Sequence, residues 1–391
     1  MTKRRRRFTF SIGVLCALVV LFFVAAPGIT ERSMNKVLHA PRPVPPEAAA
    51  LHRTLTWVDL HADSLLWGRD LLQRSTRGQV DLPRLVDGNV AVQMFTIVTQ
   101  SPRHLNIDRN DDRTDNIRLL ALAQRWPPRT WSSLPERALY QAERLADFVR
   151  RSDGKLTQVR TRAELDAFLD RRRSDPSLVA AILGIEGAHA LGPDLGAVTQ
   201  LDRLDAAGIR MISFTHFFDN AYGGSASGVA KGGLTDTGKK LLAEMERRGI
   251  LVDLSHTSHE VIRDVLALAK KPVVASHTGV RGTCDNNRNL TDDELRGIAA
   301  TGGLVAIGYF AHAVCGDKPA DIARAVAYAV KIVGADHVAL GSDFDGAVAT
   351  PFDTAHLSEL TAALLAAGIS AADLHQIAGD NAVALLRKTL P

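Results

Sequence analysis

Residues Trp57-Val-Asp-Leu-His-Ala-Asp63 form a short apolar run that closes on a histidine and, two positions later, an aspartate. Four later runs share that shape: Ile182-Leu-Gly-Ile-Glu186, Ile250-Leu-Val-Asp-Leu-Ser-His256, Pro272-Val-Val-Ala-Ser-His277 and Val338-Ala-Leu-Gly-Ser-Asp343. Each reads as a strand whose last residue can bind a metal or move a proton. Reactive side chains at the C-terminal ends of successive strands are how a (β/α)8 barrel assembles a site.

Working outward, candidate strands fall near 56–61, 90–98, 179–186, 209–215, 250–255, 272–277, 303–309 and 337–343. Most intervals between them carry helical patterns. Thr237 to Gly249 ends on a glycine stop, and Thr291-Asp-Asp-Glu294 opens its helix with a capping signal. Strands alternating with helices predict an α/β fold with a parallel sheet, and eight repeats predict closure into a TIM-type barrel. The interval 99–178 is irregular and reads as an elaborated connection after the second strand, holding two or three helices.

The chain has 391 residues, 46% hydrophobic and 23% charged, which is ordinary globular composition. Its net charge is +4. Lys3-Arg4-Arg5-Arg6-Arg7 accounts for that excess, so the body is about neutral and gives no argument for nucleic acid. Phe8 to Ile29 carries no charge. As a helix it would reach about 33 Å, enough for a bilayer core of about 30 Å.

The expected organisation is therefore a basic cytoplasmic segment at 1–7, a transmembrane signal-anchor at 8–29, a proline-rich spacer at 30–50 and a barrel domain at 51–391. Positive residues before the span predict a cytoplasmic N-terminus and a catalytic domain in the periplasm or cell exterior. A cleavable signal peptide, giving a secreted protein, is the rival reading. Ala25-Ala26-Pro27 is a poor cleavage site because proline follows the small residues. Cys16, Cys284 and Cys315 are too few for a disulfide framework but enough for one bridge.

His61 and Asp63, two apart on an extended strand, point to one side and can reach one ion. Glu186, His256 and His277 arrive from other strands. Five ligands exceed the needs of one catalytic zinc and point to two ions sharing a carboxylate, able to hold a hydroxide between them. His189, His259, His312 and His375 lie off the strand ends and read as supporting or surface residues.

Together these motifs resemble the membrane (renal-type) dipeptidases, peptidase family M19 of the metal-dependent amidohydrolases. The resemblance runs from about Thr56 to Leu386 and rests on His61-Ala-Asp63, Ile185-Glu186-Gly187, Thr215-His216, Asp253-Leu-Ser-His256, Ser276-His277, Arg288-Asn289 and Gly341-Ser-Asp343-Phe-Asp345-Gly346. It implies a two-zinc enzyme that splits dipeptides, with His61 and Asp63 on one zinc, His256 and His277 on the other, and Glu186 bridging.

The resemblance also gives His216 to the oxyanion, Asp343 to proton transfer and Arg288 to the substrate's C-terminal carboxylate. Asp343 is preferred over Asp345 because it lies nearer the strand end. A Cys284–Cys315 disulfide is implied too, tying the loops after strands six and seven and fitting an oxidising compartment. Homodimers occur in the family and are a possibility here. The glycine- and serine-rich loop Asn220–Gly228 departs from the mammalian pattern, so side-chain preference does not carry over. Two alternatives stand beside a dipeptidase: another amidohydrolase reaction, on N-acyl amino acids or cyclic amides, or an inactive membrane-tethered binding protein.

Overall fold

The structure, a computed structural model, describes residues 21–192 and 198–391. Nine strands form one parallel sheet: β1 Trp57–Ala62, β2 Val90–Val98, β3 Leu156–Gln158, β4 Val179–Glu186, β5 Ile209–Ser213, β6 Leu251–Asp253, β7 Val273–Thr278, β8 Leu304–Ile307 and β9 Val338–Leu340. Eight follow one another in the order β1-β2-β4-β5-β6-β7-β8-β9, while β3 pairs with β4 outside that path. A parallel bridge between Ala62 and Phe344 joins the two ends. The Asp343 amide donates to His61 O at 3.1 Å and the Asp63 amide to Phe344 O at 2.9 Å across the same seam.

Two apolar layers follow from the period of two along each strand. On β4, Ala180 and Ile182 pack with Val58, Leu60, Met94, Val274 and Ala306 inside the barrel. Ala181, Leu183 and Ile185 instead join the layer shared with the surrounding helices. Glu186 continues the inward parity, so strand geometry alone carries its carboxylate to the mouth. At Gly341 a Cβ would lie 1.7 Å from Ser276 O. Only glycine lets the chain pass there into the segment bearing Asp343.

Local signals behave as read. The helix Asp236–Arg248 stops at Gly249, φ 67°, and the helix Asp292–Ala300 opens with a reciprocal Thr291–Glu294 capping box. The connection after β2 holds the helices Asn116–Ala123, Leu134–Arg151 and Arg162–Arg172 together with β3. Arg137, 1% exposed, ties it to the barrel, donating to Thr99 O and Asp115 Oδ2 at 2.6 Å and to Thr130 O at 2.7 Å. A buried guanidinium satisfied this fully is costly to disturb.

Part of the N-terminal stretch packs against the barrel. Of the predicted span 8–29, residues 8–20 lie outside the described residues, and among the described residues no helix is long and apolar enough to cross a membrane. Residues 21–34 are helical. Within 30–50, expected as a proline-rich spacer, Glu31, Asn35 and Ala48 are buried. Glu31 is buried between Arg69 Nε and Arg77 Nε, each at 2.5 Å. Val37 forms a parallel bridge with Thr350, and Pro46–His52 is helical. The physical reason is charge: once buried, the Glu31 carboxylate needs both guanidinium groups, and they belong to the barrel.

Candidate metal centre and active site

His61, Asp63, Glu186, His216, His256, His277, Arg288 and Asp343 come from β1, β4, β7 and the segments after β1, β5, β6, β7 and β9, and all are buried at one end of the barrel. Glu186 is the hub. Its Oε1 lies 2.9 Å from His256 Nε2, 3.1 Å from His277 Nε2 and 3.7 Å from His61 Nε2. Its Oε2 lies 3.1 Å from His216 Nε2. His61 Nε2 stands 3.7 Å from Asp63 Oδ1 and 4.0 Å from Asp343 Oδ1.

Regular strands would not deliver this set. The β1–β2 pairing shifts register between Asp59 and Ala62, and the β7–β8 pairing between Ala275 and Thr278. Such irregularities re-aim side chains, here at His61 and His277. Asp63 lies beyond β1, at the start of the short helix Ser64–Leu66, so its proximity to His61 comes from this break rather than from strand alternation. His256 and Asp343 hold φ of 64° and 62°. Left-handed backbone at non-glycine residues is strain that packing must enforce, and it concentrates at functional sites.

Two buried clamps support the site. Asp253 Oδ1 accepts the Ser276 amide at 2.9 Å and Oδ2 its hydroxyl at 2.7 Å. Asp59 holds Ser342 the same way, at 2.8 and 2.7 Å. Each serine immediately precedes a site residue, His277 or Asp343. The Ser276 hydroxyl also lies 2.9 Å from His277 Nδ1 and 3.2 Å from His61 Nδ1. Having donated to Asp253, it offers lone pairs to both Nδ1–H groups and leaves both Nε2 atoms as acceptors facing inward. A serine directly before a reactive strand-end residue was a visible signal for these clamps. Their aspartate partners could be assigned only once the strands were adjacent.

The donor set fits divalent metal. His61–Glu186–His277, Glu186–His216–His256 and His61–Asp63–Asp343 each bring three ligand atoms within 4.8 Å of one another. His61 Nε2 and Glu186 Oε1 are buried without a hydrogen-bond partner, although other ligand atoms lie close by. Nitrogen and carboxylate donors converging on a common point are what a zinc-type cation requires. These groupings overlap and do not divide the ligands into the two sets that the sequence led us to expect.

Burial and neighbouring charges shift the site's groups in both directions. Burial and the Asp63 charge drive Glu186 well above the ordinary glutamate range. Burial would lower His61, but the Glu186 and Asp63 carboxylates outweigh it and push it up to about 10. Burial pushes His216, His256 and His277 well below the usual histidine range, the neutral form that metal binding needs. Burial likewise lifts Asp343 to about 8, with His61 opposing and Asp63 assisting.

Arg288 donates from Nη2 to His277 O at 2.6 Å and lines the cavity above the cluster. That cavity measures about 530 Å³ and also touches Asp63, Glu186, His216, His256 and Asp343. Asp345 is turned away, accepting from Ser64 Oγ at 2.7 Å and from Arg69 and the Gln79 amide. His189 is buried near the site and stacks on Phe218, His312 lines the cavity, and His259 binds Glu294. From the loop 220–228, Ser227 reaches the cavity. Cys284 and Cys315 form a disulfide beside the Arg288 loop.

Residues 46–390 match the family model described as Membrane dipeptidase (Peptidase family M19). The chain is 28% identical to the dipeptidase aclJ of Aspergillus oryzae over 98% of its own length and 89% of that protein's. It is 32% identical to the dipeptidase verJ of Clonostachys rogersoniana over 63% of its length and 64% of that protein's. A metallopeptidase from Rhodobacter sphaeroides, solved with a phosphinate mimic of the dipeptide L-Ala-D-Ala, superposes with a TM-score of 0.69. It is 26% identical, covering 86% of this chain and 99% of its own.

Proposed function

The chain belongs to the membrane dipeptidase family, M19, a family of metal-dependent peptide-bond hydrolases, and on that premise we propose that it is a zinc dipeptidase. The observation that carries this reading is the convergence of four imidazoles on Glu186, with Asp63 and Asp343 facing one of them, His61. His61 and Asp63 would hold one zinc ion, His256 and His277 another, with Glu186 shared between them. When bound, the metal pair supplies Lewis-acid polarisation of the scissile carbonyl and an activated water.

The remaining residues have distinct work. Arg288, with its guanidinium buried and donors to spare beyond its bond to His277 O, would hold the free carboxylate of a dipeptide. His216 would donate to the carbonyl oxygen as negative charge develops on it. Asp343, facing His61 Nε2 at 4.0 Å, would take a proton from the attacking water and return it to the departing amine. Water adds across the peptide bond, leaving two free amino acids.

We further propose that the catalytic domain works outside the cytoplasm. The Cys284–Cys315 disulfide supports this. The uncharged run 8–29 behind its basic cluster also supports export, with the N-terminus left in the cytoplasm where the run is retained.

The test is hydrolysis of L,L-, L,D- and D,L-dipeptides with and without a chelator. Activity that vanishes on chelation and returns with zinc supports the reading. Hydrolysis that survives complete metal removal overturns it, and activity confined to N-acyl amino acids or cyclic amides would favour the other amidohydrolase chemistry.

A further inference from the structure

The helix 21–34 does more than rest on the barrel, because it forms part of the active-site cavity. Phe22, Pro27, Thr30 and Met34 line the same space as Glu186 and Asp343. Leu119 and Leu120 of the connection after β2 line it too. The reactive end of the cavity is charged, whereas these outer walls are mostly apolar. Phe22 and Met34 are 54% and 43% exposed, so apolar surface remains uncovered beside the catalytic groups.

This wall is tied to the catalytic machinery. Glu31 binds Arg69, and Arg69 in turn binds Asp345, two residues after Asp343. Asn35 Oδ1 accepts the Ala347 amide at 2.9 Å. Leu38 donates to Thr350 O and Thr350 to Lys36 O, both at 2.9 Å. Gly346, Ala347 and Val348 themselves line the cavity. The segment carrying Asp343 and the N-terminal helix are therefore one packed unit.

We propose that the helix 21–34, held by Glu31, is the specificity wall of the active site and selects dipeptides with a large apolar side chain. The inference rests on the dipeptidase reading above and specifies its substrate class. A cavity of about 530 Å³ lies within the size range of drug-sized ligands, larger than two glycine residues need. Covering exposed apolar wall with a substrate side chain is favourable in proportion to the area removed from water.

The zinc-loaded full chain is assayed with Gly-Gly, Phe-Gly and Gly-Phe. The unaltered protein should favour at least one phenylalanine dipeptide over Gly-Gly in kcat/KM, chiefly through KM. Met34→Gln keeps the bulk of the side chain but makes the wall polar, and should narrow that preference about tenfold, the scale of a small change in an apolar pocket. Glu31→Gln, a positioning change, should narrow it too, with a melting curve confirming the fold. No preference in the unaltered protein, or a preference unchanged in both variants even if all rates fall together, overturns the inference. So does a purified protein whose N-terminus lies beyond Met34. If the unaltered protein hydrolyses none of these or the dipeptides above with zinc present, the dipeptidase reading itself fails and takes this inference with it.

Discussion

Asp59 and Ser342 lie 283 residues apart and are joined twice, carboxylate to amide at 2.8 Å and carboxylate to hydroxyl at 2.7 Å. The Ser342 hydroxyl is also 3.0 Å from His61 O. One buried pair thus closes the barrel between its first and last strands and sets the backbone on which Asp343 sits. Asp59→Ala would strand two buried donors. We expect a loss of about 2–6 kcal/mol, at roughly 1–3 kcal/mol for each unsatisfied group, read from denaturant unfolding. Asp59→Asn keeps one acceptor and should cost less. Equal losses from the two variants would contradict the pairing.

Ser276→Ala removes the hydroxyl that faces both His61 Nδ1 and His277 Nδ1. Without it neither ring has its orientation fixed. Zinc affinity, measured by competition with a fluorescent chelator, should weaken about 10–100-fold, the usual consequence of losing a ligand's supporting hydrogen bond. Wild-type affinity in a folded variant would mean the hydroxyl does not orient the ligands.

Arg288→Met should raise KM for dipeptides about 10–100-fold, since a hydrogen bond to a charged group is worth about 1.5–3 kcal/mol. Zinc content should not change, because Arg288 offers no ligand atom. An unaltered KM would remove the carboxylate clamp from the mechanism.

The Cys284–Cys315 bridge spans a sequence separation of 31. Replacing both cysteines with serine should destabilise the chain by about 3–4 kcal/mol in the loop-entropy treatment. Because Arg288 lies inside the tied loop, KM for dipeptides should rise as well. Thermal melting and kinetics of the double variant against the oxidised parent check both, and an unchanged melting temperature would count against the bridge as a source of stability.

Much of the architecture was legible because it repeats. Eight apolar runs of strand length, spaced by helical patterns and closed by glycine stops and capping boxes, need only local chemistry to recognise. β3 escaped because three residues, Leu156–Gln158, are too few to show a period. The packing of the N-terminal stretch escaped for another reason. The buried place of Glu31 depends on its meeting Arg69 and Arg77, and no window along the chain brings 31, 69 and 77 together.

By itself the sequence determined the parallel barrel and the identity of the reactive strand-end residues, because strand period and side-chain chemistry are local properties. Tertiary structure alone decided how those residues meet. Breaks in two strand ladders turn His61 and His277 inward, Asp59 and Asp253 find serines on neighbouring strands, and the helix 21–34 becomes a wall of the cavity. Each depends on buried charges and polar groups taking partners from distant parts of the chain, since leaving them unpaired would cost more than the strain of bringing them together.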